Sequence, residues 1–96
     1  MAREVNWTEP AWQDLEAAAG FIARDSESYA ASFVQEVMES ASSLTEFAEM
    51  GRIVPEFADQ SIRELLVGPY RLVYEISDDR IFVLALIHGA RRPGRT

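Results

Sequence analysis

The sequence has no cysteine, no lysine, a single histidine and no long apolar run, and all of these except the lack of lysine exclude a class of protein. Without cysteine, neither a disulfide framework nor a thiolate metal site can form. One histidine is too few for an imidazole-rich metal centre, so no metal and no cofactor are expected. No stretch approaches eighteen uninterrupted apolar residues, and the start MAREVNWTEP has no apolar h-region. We therefore expect a cytoplasmic protein without membrane association.

The 96 residues are strongly acidic as a whole, with nine basic and sixteen acidic side chains and a net charge of −7. Their 48% hydrophobic and 26% charged composition predicts one folded domain spanning residues 1–96. Charge is uneven, because residues 1–60 hold three arginines and twelve acids, whereas residues 61–96 hold six arginines and four acids. A nucleic-acid binder should be basic overall, since phosphate neutralisation supplies most of its affinity. Direct DNA binding by this chain alone is therefore not expected.

Hydrophobic periodicity predicts one strand and two helices in the first half of the chain. Residues 3–7, REVNW, alternate like a short strand. Thr8 can cap a helix that ends near residues 24–25, and Ser26 can cap a second helix that fades near residues 47–50. Gly51 is the expected residue after its C-terminus. The very short connection makes these helices antiparallel neighbours.

The second half of the chain has the period of β-structure. Residues 51–60, GRIVPEFADQ, are predicted to be a loop, and the runs SIRELLV, YRLVYEI and RIFVLALIH follow it. Short turns join these runs, and the third is apolar on both faces, as expected of a central strand. The predicted fold is therefore α+β: an N-terminal strand, an antiparallel α-hairpin and a three-stranded antiparallel β-meander.

The helices can cover only one face of such a sheet, which predicts an open surface on the other face. Several polar and aromatic side chains on or beside the three strands could gather there: Arg63, Tyr70, Arg71, Glu75, His88 and Arg91. Two structural alternatives stay open, namely an ion pair from Arg71 to Glu64 or Glu75, and a purely structural His88 at a strand end. On the first helix, Asp14 is expected to face solvent.

The chain resembles the ParE/RelE toxins of bacterial type II toxin–antitoxin operons. The resemblance rests on the element order and on three motifs, MGRIVPEF, VGPYRLVYEI and VLALIHGARR, and it runs from about Val5 to Arg92. It implies one of two activities. RelE-like toxins are ribosome-dependent mRNA endonucleases, whereas ParE-like toxins bind and poison DNA gyrase. Both kinds, including those that stabilise plasmids, are neutralised by a cognate antitoxin with an extended, partly disordered segment.

Matching the nuclease motif to this sequence separates the two activities. The motif's strand arginine corresponds to Arg71, and the arginine after the last strand corresponds to Arg91. The positions of its lysines hold Ile62 and Glu64, and its C-terminal tyrosine has no counterpart before Thr96.

Other nuclease relatives use a glutamate, an arginine and a histidine, which Glu64 or Glu75 with Arg71 and His88 could imitate. RNA cleavage needs a base for the 2′-hydroxyl, stabilisation of phosphate charge and an acid for the leaving oxygen. Arginines suit only the second of these roles. The sequence thus favours the ParE-like activity, in which none of these residues is catalytic.

The resemblance implies a ParD-like antitoxin as partner, bound in the groove between the helix hairpin and the sheet. We expect the basic end HGARRPGRT to engage gyrase through Arg91, Arg92 and Arg95. A RelE-like endoribonuclease and a degenerate toxin that only binds antitoxin are the alternatives. The sequence is compatible with a homodimer and with a toxin–antitoxin hetero-oligomer.

This interpretation predicts a separable role for the basic end. Replacing Arg91 and Arg92 together by glutamate should abolish growth arrest on expression, because the charge offered to the target is inverted. Antitoxin binding, measured by calorimetry, should change little. Unaltered growth arrest would contradict the role assigned to this end.

Overall fold

The structure, a computed structural model, describes residues 2–89 and contains two helices and a five-stranded sheet. In chain order the elements are β1 (Glu4–Trp7), α1 (Glu9–Ala23), α2 (Glu27–Ser43), β2 (Arg52–Ile53), β3 (Ile62–Val67), β4 (Tyr70–Ile76) and β5 (Arg80–His88). Neither helix in this part of the chain is long and apolar enough to cross a membrane.

Both helices begin where the sequence predicts. The Thr8 hydroxyl accepts the Ala11 N–H at 3.3 Å, and the Ser26 hydroxyl accepts the Tyr29 N–H at 3.1 Å. Each cap satisfies one of the N–H groups that the first turn of a helix leaves without a partner. The α-hairpin is confirmed.

The sheet has the strand order β1-β5-β4-β3-β2. Strands β3, β4 and β5 form the predicted antiparallel meander. Strand β5, predicted to be central, lies between β1 and β4, while β4 is the central strand of the five. Strand β1 lies parallel to β5, so the sheet as a whole is mixed. The chain can return to the sheet in this way because the α-hairpin lies between β1 and the meander.

The helices cover one face of the sheet, which we call the helix face. Alternate residues of β4 point to this face: Leu72 belongs to the main core with Phe33 and Val37, and Tyr74 belongs to a smaller core with Leu44. Alternation along the strand assigns Arg71, Val73 and Glu75 to the other face.

Helix α2 ends earlier than predicted. It stops at Ser43, and residues 44–50 turn inward so that Leu44 and Ala48 close the smaller core. Gly51 therefore does not follow a helix end. A side chain there would meet the Tyr74 hydroxyl at 2.5 Å and the Glu64 carbonyl at 2.6 Å, so the glycine permits a close approach to the sheet.

The second face of the sheet is covered where the sequence predicted an open surface. The expected loop, residues 51–60, starts with the edge strand β2 and continues as a segment, residues 54–57, that we call the strap. Val54 is fully buried and Glu56 bonds to Arg71, so the strap lies against this face. Arg71 is only 6% exposed and Val73 only 2% exposed as a result. The prediction of an open face is wrong at the centre of the sheet.

The fold predicts a large effect from one hydroxyl. The Tyr74 hydroxyl donates to the Ala48 carbonyl at 2.7 Å and accepts the Gly51 N–H at 2.9 Å, both in buried surroundings. Tyr74→Phe leaves these two backbone groups unsatisfied and should lower the free energy of unfolding by about 1–3 kcal/mol. Urea denaturation measures this loss. Tyr29→Phe, at a side chain that is 72% exposed, should cost less than about 0.5 kcal/mol.

The same side chain predicts an alkaline signature. Burial raises the pKa of the Tyr74 phenol above its ordinary value of 10.0. The unfolded chain then ionises first, so this contribution to stability is complete below about pH 10 and is lost as pH rises through the folded pKa. The free energy of unfolding of Tyr74→Phe should not show that alkaline loss. If the variant and the unaltered protein lose stability equally at alkaline pH, the assignment of a buried phenol is contradicted.

Candidate functional site

A buried carboxylate on the second face of the sheet holds two arginines. Glu64 has a side chain with no exposed surface, and it accepts hydrogen bonds from Arg52 Nε at one oxygen and from Arg71 Nε at the other, the latter at 2.6 Å. Arg71 also donates hydrogen bonds from its two terminal nitrogens to the Glu56 carboxylate, with N···O distances of 3.2 and 3.5 Å. We call Arg52, Glu56, Glu64 and Arg71 the arginine network.

The strand register explains how the arginine network assembles. Arg52 lies directly opposite Glu64 across β2 and β3, and Glu64 lies opposite Val73 across β3 and β4. Arg71 is two residues from Val73 on the same face, a diagonal position that a long side chain can span. Glu56 reaches Arg71 from above the sheet because the strap crosses there.

The two carboxylates set the charge state of Arg71. Burial opposes the charged guanidinium, but the hydrogen bonds and negative charges of Glu56 and Glu64 outweigh it and hold the pKa of Arg71 above its already high ordinary value. Arg71 is therefore a permanent cation that neutralises the acids beside it. Glu64 was one of the two acids proposed as ion-pair partners of Arg71, but the observed pair is buried and not exposed.

Most of the other predicted residues lie away from this network. Arg63 lies opposite Tyr74 on the helix face and donates to the carbonyls of Gly51 at 3.0 Å and Glu49 at 3.3 Å. It thus fastens the turn after α2. Glu75 is four residues from Arg71 on one strand, about 14 Å along it at roughly 3.4 Å per residue.

Tyr70 and His88 lie on the helix face, opposite to Arg71. The two rings meet edge to face at 5.5 Å, and Tyr70 also packs against Phe33 at 5.1 Å. The structure therefore does not bring Arg71, Glu75 and His88 together as one catalytic set.

Tyr70 and His88 line an aromatic cleft between the α-hairpin and the turn from β3 to β4. This helix-side cleft has a volume of about 320 Å³, and its wall residues are Phe21, Ile22, Tyr29, Ser32, Phe33, Glu36, Gly68, Pro69, Tyr70 and His88. Phe21 and Tyr29 are 64% and 72% exposed at its rim. A largely apolar concave surface with one acid on its wall is suited to an amphipathic protein segment.

Asp14 has a structural task that the sequence did not reveal. Its carboxylate accepts the Leu86 N–H at 3.0 Å, on the edge of β5 that extends past the end of β1. Asp14 is therefore half-buried and bonded to the sheet, and does not only face solvent as the sequence predicted. A second cleft of about 380 Å³ opens beside it and shares Phe21, Tyr70 and His88 with the helix-side cleft.

Neither the strap glutamate nor the Asp14 contact carried a usable signal in the sequence. Glu56 and Arg71 are fifteen residues apart, and Asp14 and Leu86 are seventy-two apart, so tertiary crossings alone create both contacts. Within residues 2–89 no three Asp, Glu or His side chains converge in a way that could hold a metal ion. Arg91, Arg92 and Arg95 lie outside the described residues.

Comparison with known proteins gives consistent matches over nearly the whole chain. The family described as the ParE toxin of type II toxin–antitoxin systems, parDE, matches residues 5–93. Toxin RelE2 of Caulobacter vibrioides is 33% identical over 89 residues, which are 92% of this chain and 97% of that protein.

Two solved structures share the fold. The chromosomal ParDE toxin–antitoxin system from P. aeruginosa has a TM-score of 0.74 at 21% identity, covering 91% of this chain and 96% of the other. The toxin–antitoxin complex RelBE2 from Mycobacterium tuberculosis has a TM-score of 0.65 at 22% identity, covering 92% and 99%.

The helix pair on a mixed sheet is thus the architecture of the ParE/RelE toxin class. The chain belongs to the ParE toxin family and is the toxin component of a type II toxin–antitoxin system.

The arginine network predicts a stability role for Arg71. Arg71→Met removes one partner of a buried ion pair, and we expect it to lower the free energy of unfolding by about 3–5 kcal/mol. Arg80→Met is the matched control, because Arg80 pairs with Glu4 at 3.9 Å on the exposed edge and should cost less than about 1 kcal/mol. Urea denaturation compares them.

Arg71→Lys and the double variant Arg71→Met with Glu64→Leu guard against a variant that fails to fold. Arg71→Lys keeps the positive charge but lacks the several N–H donors of the planar guanidinium, so its loss of unfolding free energy should be intermediate. The double variant removes the buried charge along with its partner and should recover part of the stability. Equal stability of Arg71→Met and the unaltered protein would contradict the assignment.

Proposed function

We propose that this toxin acts by inhibiting DNA gyrase and is neutralised by a ParD-like antitoxin. The observation that carries the proposal is the arginine network: Arg71, which corresponds to the nuclease strand arginine, is buried and bonded to Glu56 and Glu64. A guanidinium bonded to two carboxylates has little capacity left for a phosphate, because the same donors would have to leave their partners.

The neighbouring positions support the same conclusion. Glu64 stands where a nuclease would place a lysine, and a buried carboxylate next to a phosphate would repel it. His88 is on the opposite face of the sheet, paired in register with Tyr70. The carboxylates beside Arg71, Glu56 and Glu64, are both already bonded to arginines, and the single histidine of the sequence lies on the other face, which does not favour general acid–base cleavage of an RNA phosphodiester here.

The helix-side cleft supports the antitoxin as partner and as occupant of the groove between the helices and the sheet. Antitoxin segments that fold on binding cover a surface and anchor themselves through apolar side chains. The exposed Phe21 and Tyr29 offer such an anchor site. The relatives named ParDE and RelBE2 are toxin–antitoxin systems, which supports the same kind of partner here.

An endoribonuclease is the second candidate, favoured by the name of one relative, Toxin RelE2. A toxin homologue that binds antitoxin without inhibiting growth is the third.

Two assays with the purified toxin separate these functions. We expect the toxin to inhibit plasmid supercoiling by purified gyrase and to leave mRNA intact in a translating extract. Toxin pre-mixed with its antitoxin is the control and should restore supercoiling. Untouched supercoiling together with cleaved mRNA would show that the endoribonuclease is the correct function, and growth without arrest would favour the inactive homologue.

The antitoxin site has its own prediction. Phe21→Ala should weaken binding of the antitoxin encoded beside the toxin gene by roughly tenfold or more, because it removes an exposed aromatic anchor from the cleft. Phe47→Ala is the matched control, since Phe47 is 61% exposed against 64% for Phe21 but lies outside the cleft. Calorimetry measures both. Equal losses would remove the cleft as the antitoxin site.

A further inference from the structure

A large apolar side chain stands exposed on the second face of the sheet. Leu66 on β3 is 65% exposed, although its neighbours Glu64 and Val67 are buried. It borders a shallow cavity of about 250 Å³, whose other wall residues are Arg52, Pro55, Glu56, Arg71 and Gly89. We call these six residues the Leu66 surface.

This surface presents positive charge to solvent although its ion pairs balance. The Arg52 side chain is 64% exposed, whereas its partner Glu64 has no exposed surface. The side chains of Arg71 and Glu56 are 8% and 24% exposed. The solvent-facing charge is therefore mainly that of Arg52, next to the apolar Leu66.

The basic end of the chain begins at the same place. Gly89 lines the cavity, and the sequence continues from it as ARRPGRT, with three arginines and no acid. In a protein of net charge −7, the exposed Arg52 is thus a local positive charge on this surface.

The Leu66 surface is on the opposite face of the sheet from the helix-side cleft. Leu66 is directly opposite Arg71 in the register of β3 and β4, whereas Tyr70 and His88 face the helices. A ligand in the cleft therefore does not need to touch Leu66, and the two surfaces can be altered separately.

We propose that the Leu66 surface is where the toxin holds its target protein. The complementary patch on the target is acidic and contains an apolar pocket for Leu66. This inference rests on the proposed function, in which the target is a protein, gyrase. Opposite charge steers such an encounter, and a buried apolar contact beside an arginine supplies affinity.

Leu66→Glu tests the apolar contact, with Phe47→Glu as the matched control at a side chain that is 61% exposed elsewhere. We expect Leu66→Glu to raise the toxin concentration that half-inhibits gyrase supercoiling by roughly tenfold or more, and to abolish growth arrest. Phe47→Glu should resemble the unaltered toxin. Both variants should keep their unfolding midpoint and their affinity for antitoxin.

Arg52→Gln tests the charge, with Arg80→Gln as its control, since both arginines are exposed strand residues that each pair with one glutamate. Glu64 keeps Arg71 as partner in the first variant. We expect Arg52→Gln to weaken inhibition several-fold, and this difference from Arg80→Gln should shrink at high salt because exposed charges are screened.

The outcomes separate this inference from the proposed function. If Leu66→Glu inhibits gyrase as strongly as Phe47→Glu does, the role of the Leu66 surface is overturned while the gyrase proposal stands. Growth arrest by the unaltered toxin without any effect on supercoiling would overturn gyrase as target. If mRNA is then cleaved, the proposal of a protein partner at Leu66 is also overturned. If mRNA stays intact and Leu66→Glu no longer arrests growth, the Leu66 surface is supported, but with a target protein other than gyrase.

Discussion

The buried carboxylate of Glu64 is the contact on which the second face of the sheet depends. An ionised glutamate without exposed surface is very unfavourable unless charge and hydrogen bonds compensate for the lost water. Arg52 and Arg71 supply both, one to each oxygen. Arg71 then has donors left for Glu56, which brings the strap onto the sheet. One acid on β3 thereby joins the edge strand, the central strand and the covering segment.

This arrangement divides the molecule into two faces with different chemistry. The helix face carries the core, an aromatic cleft and the Tyr70–His88 pair. The second face carries the buried ion pairs and an exposed Leu66. A toxin that must be bound by both a target and an antitoxin benefits from two such surfaces, because each can be optimised without disturbing the other. On our account, the arginine that a nuclease would offer to RNA here stabilises the fold.

Local rules sufficed to predict where the helices begin and the meander, and they left an ion pair of Arg71 to Glu64 or Glu75 as an open alternative. Thr8 and Ser26 have side-chain oxygens that cap helices, and the alternation in YRLVYEI marks a strand, so both signals lie within a few residues. The role of Gly51, the contact of Asp14 and the pairing of Glu56 with Arg71 were not predicted. Each depends on where a distant segment crosses, which no local pattern encodes. The second face was wrongly predicted to be open for the same reason. The strap covers it through the Glu56–Arg71 contact, which joins residues distant in sequence.

The central claim is that Arg71 is held by carboxylates and does not serve RNA. Nitrogen-15 NMR of the arginine Nε–H groups tests it directly. We predict that the Arg71 Nε–H resonance exchanges slowly with water, because the group is buried and bonded to Glu64. It should also keep its chemical shift when a short RNA oligonucleotide is titrated into the toxin. A rapidly exchanging resonance, or one that shifts as RNA is added, would contradict the account.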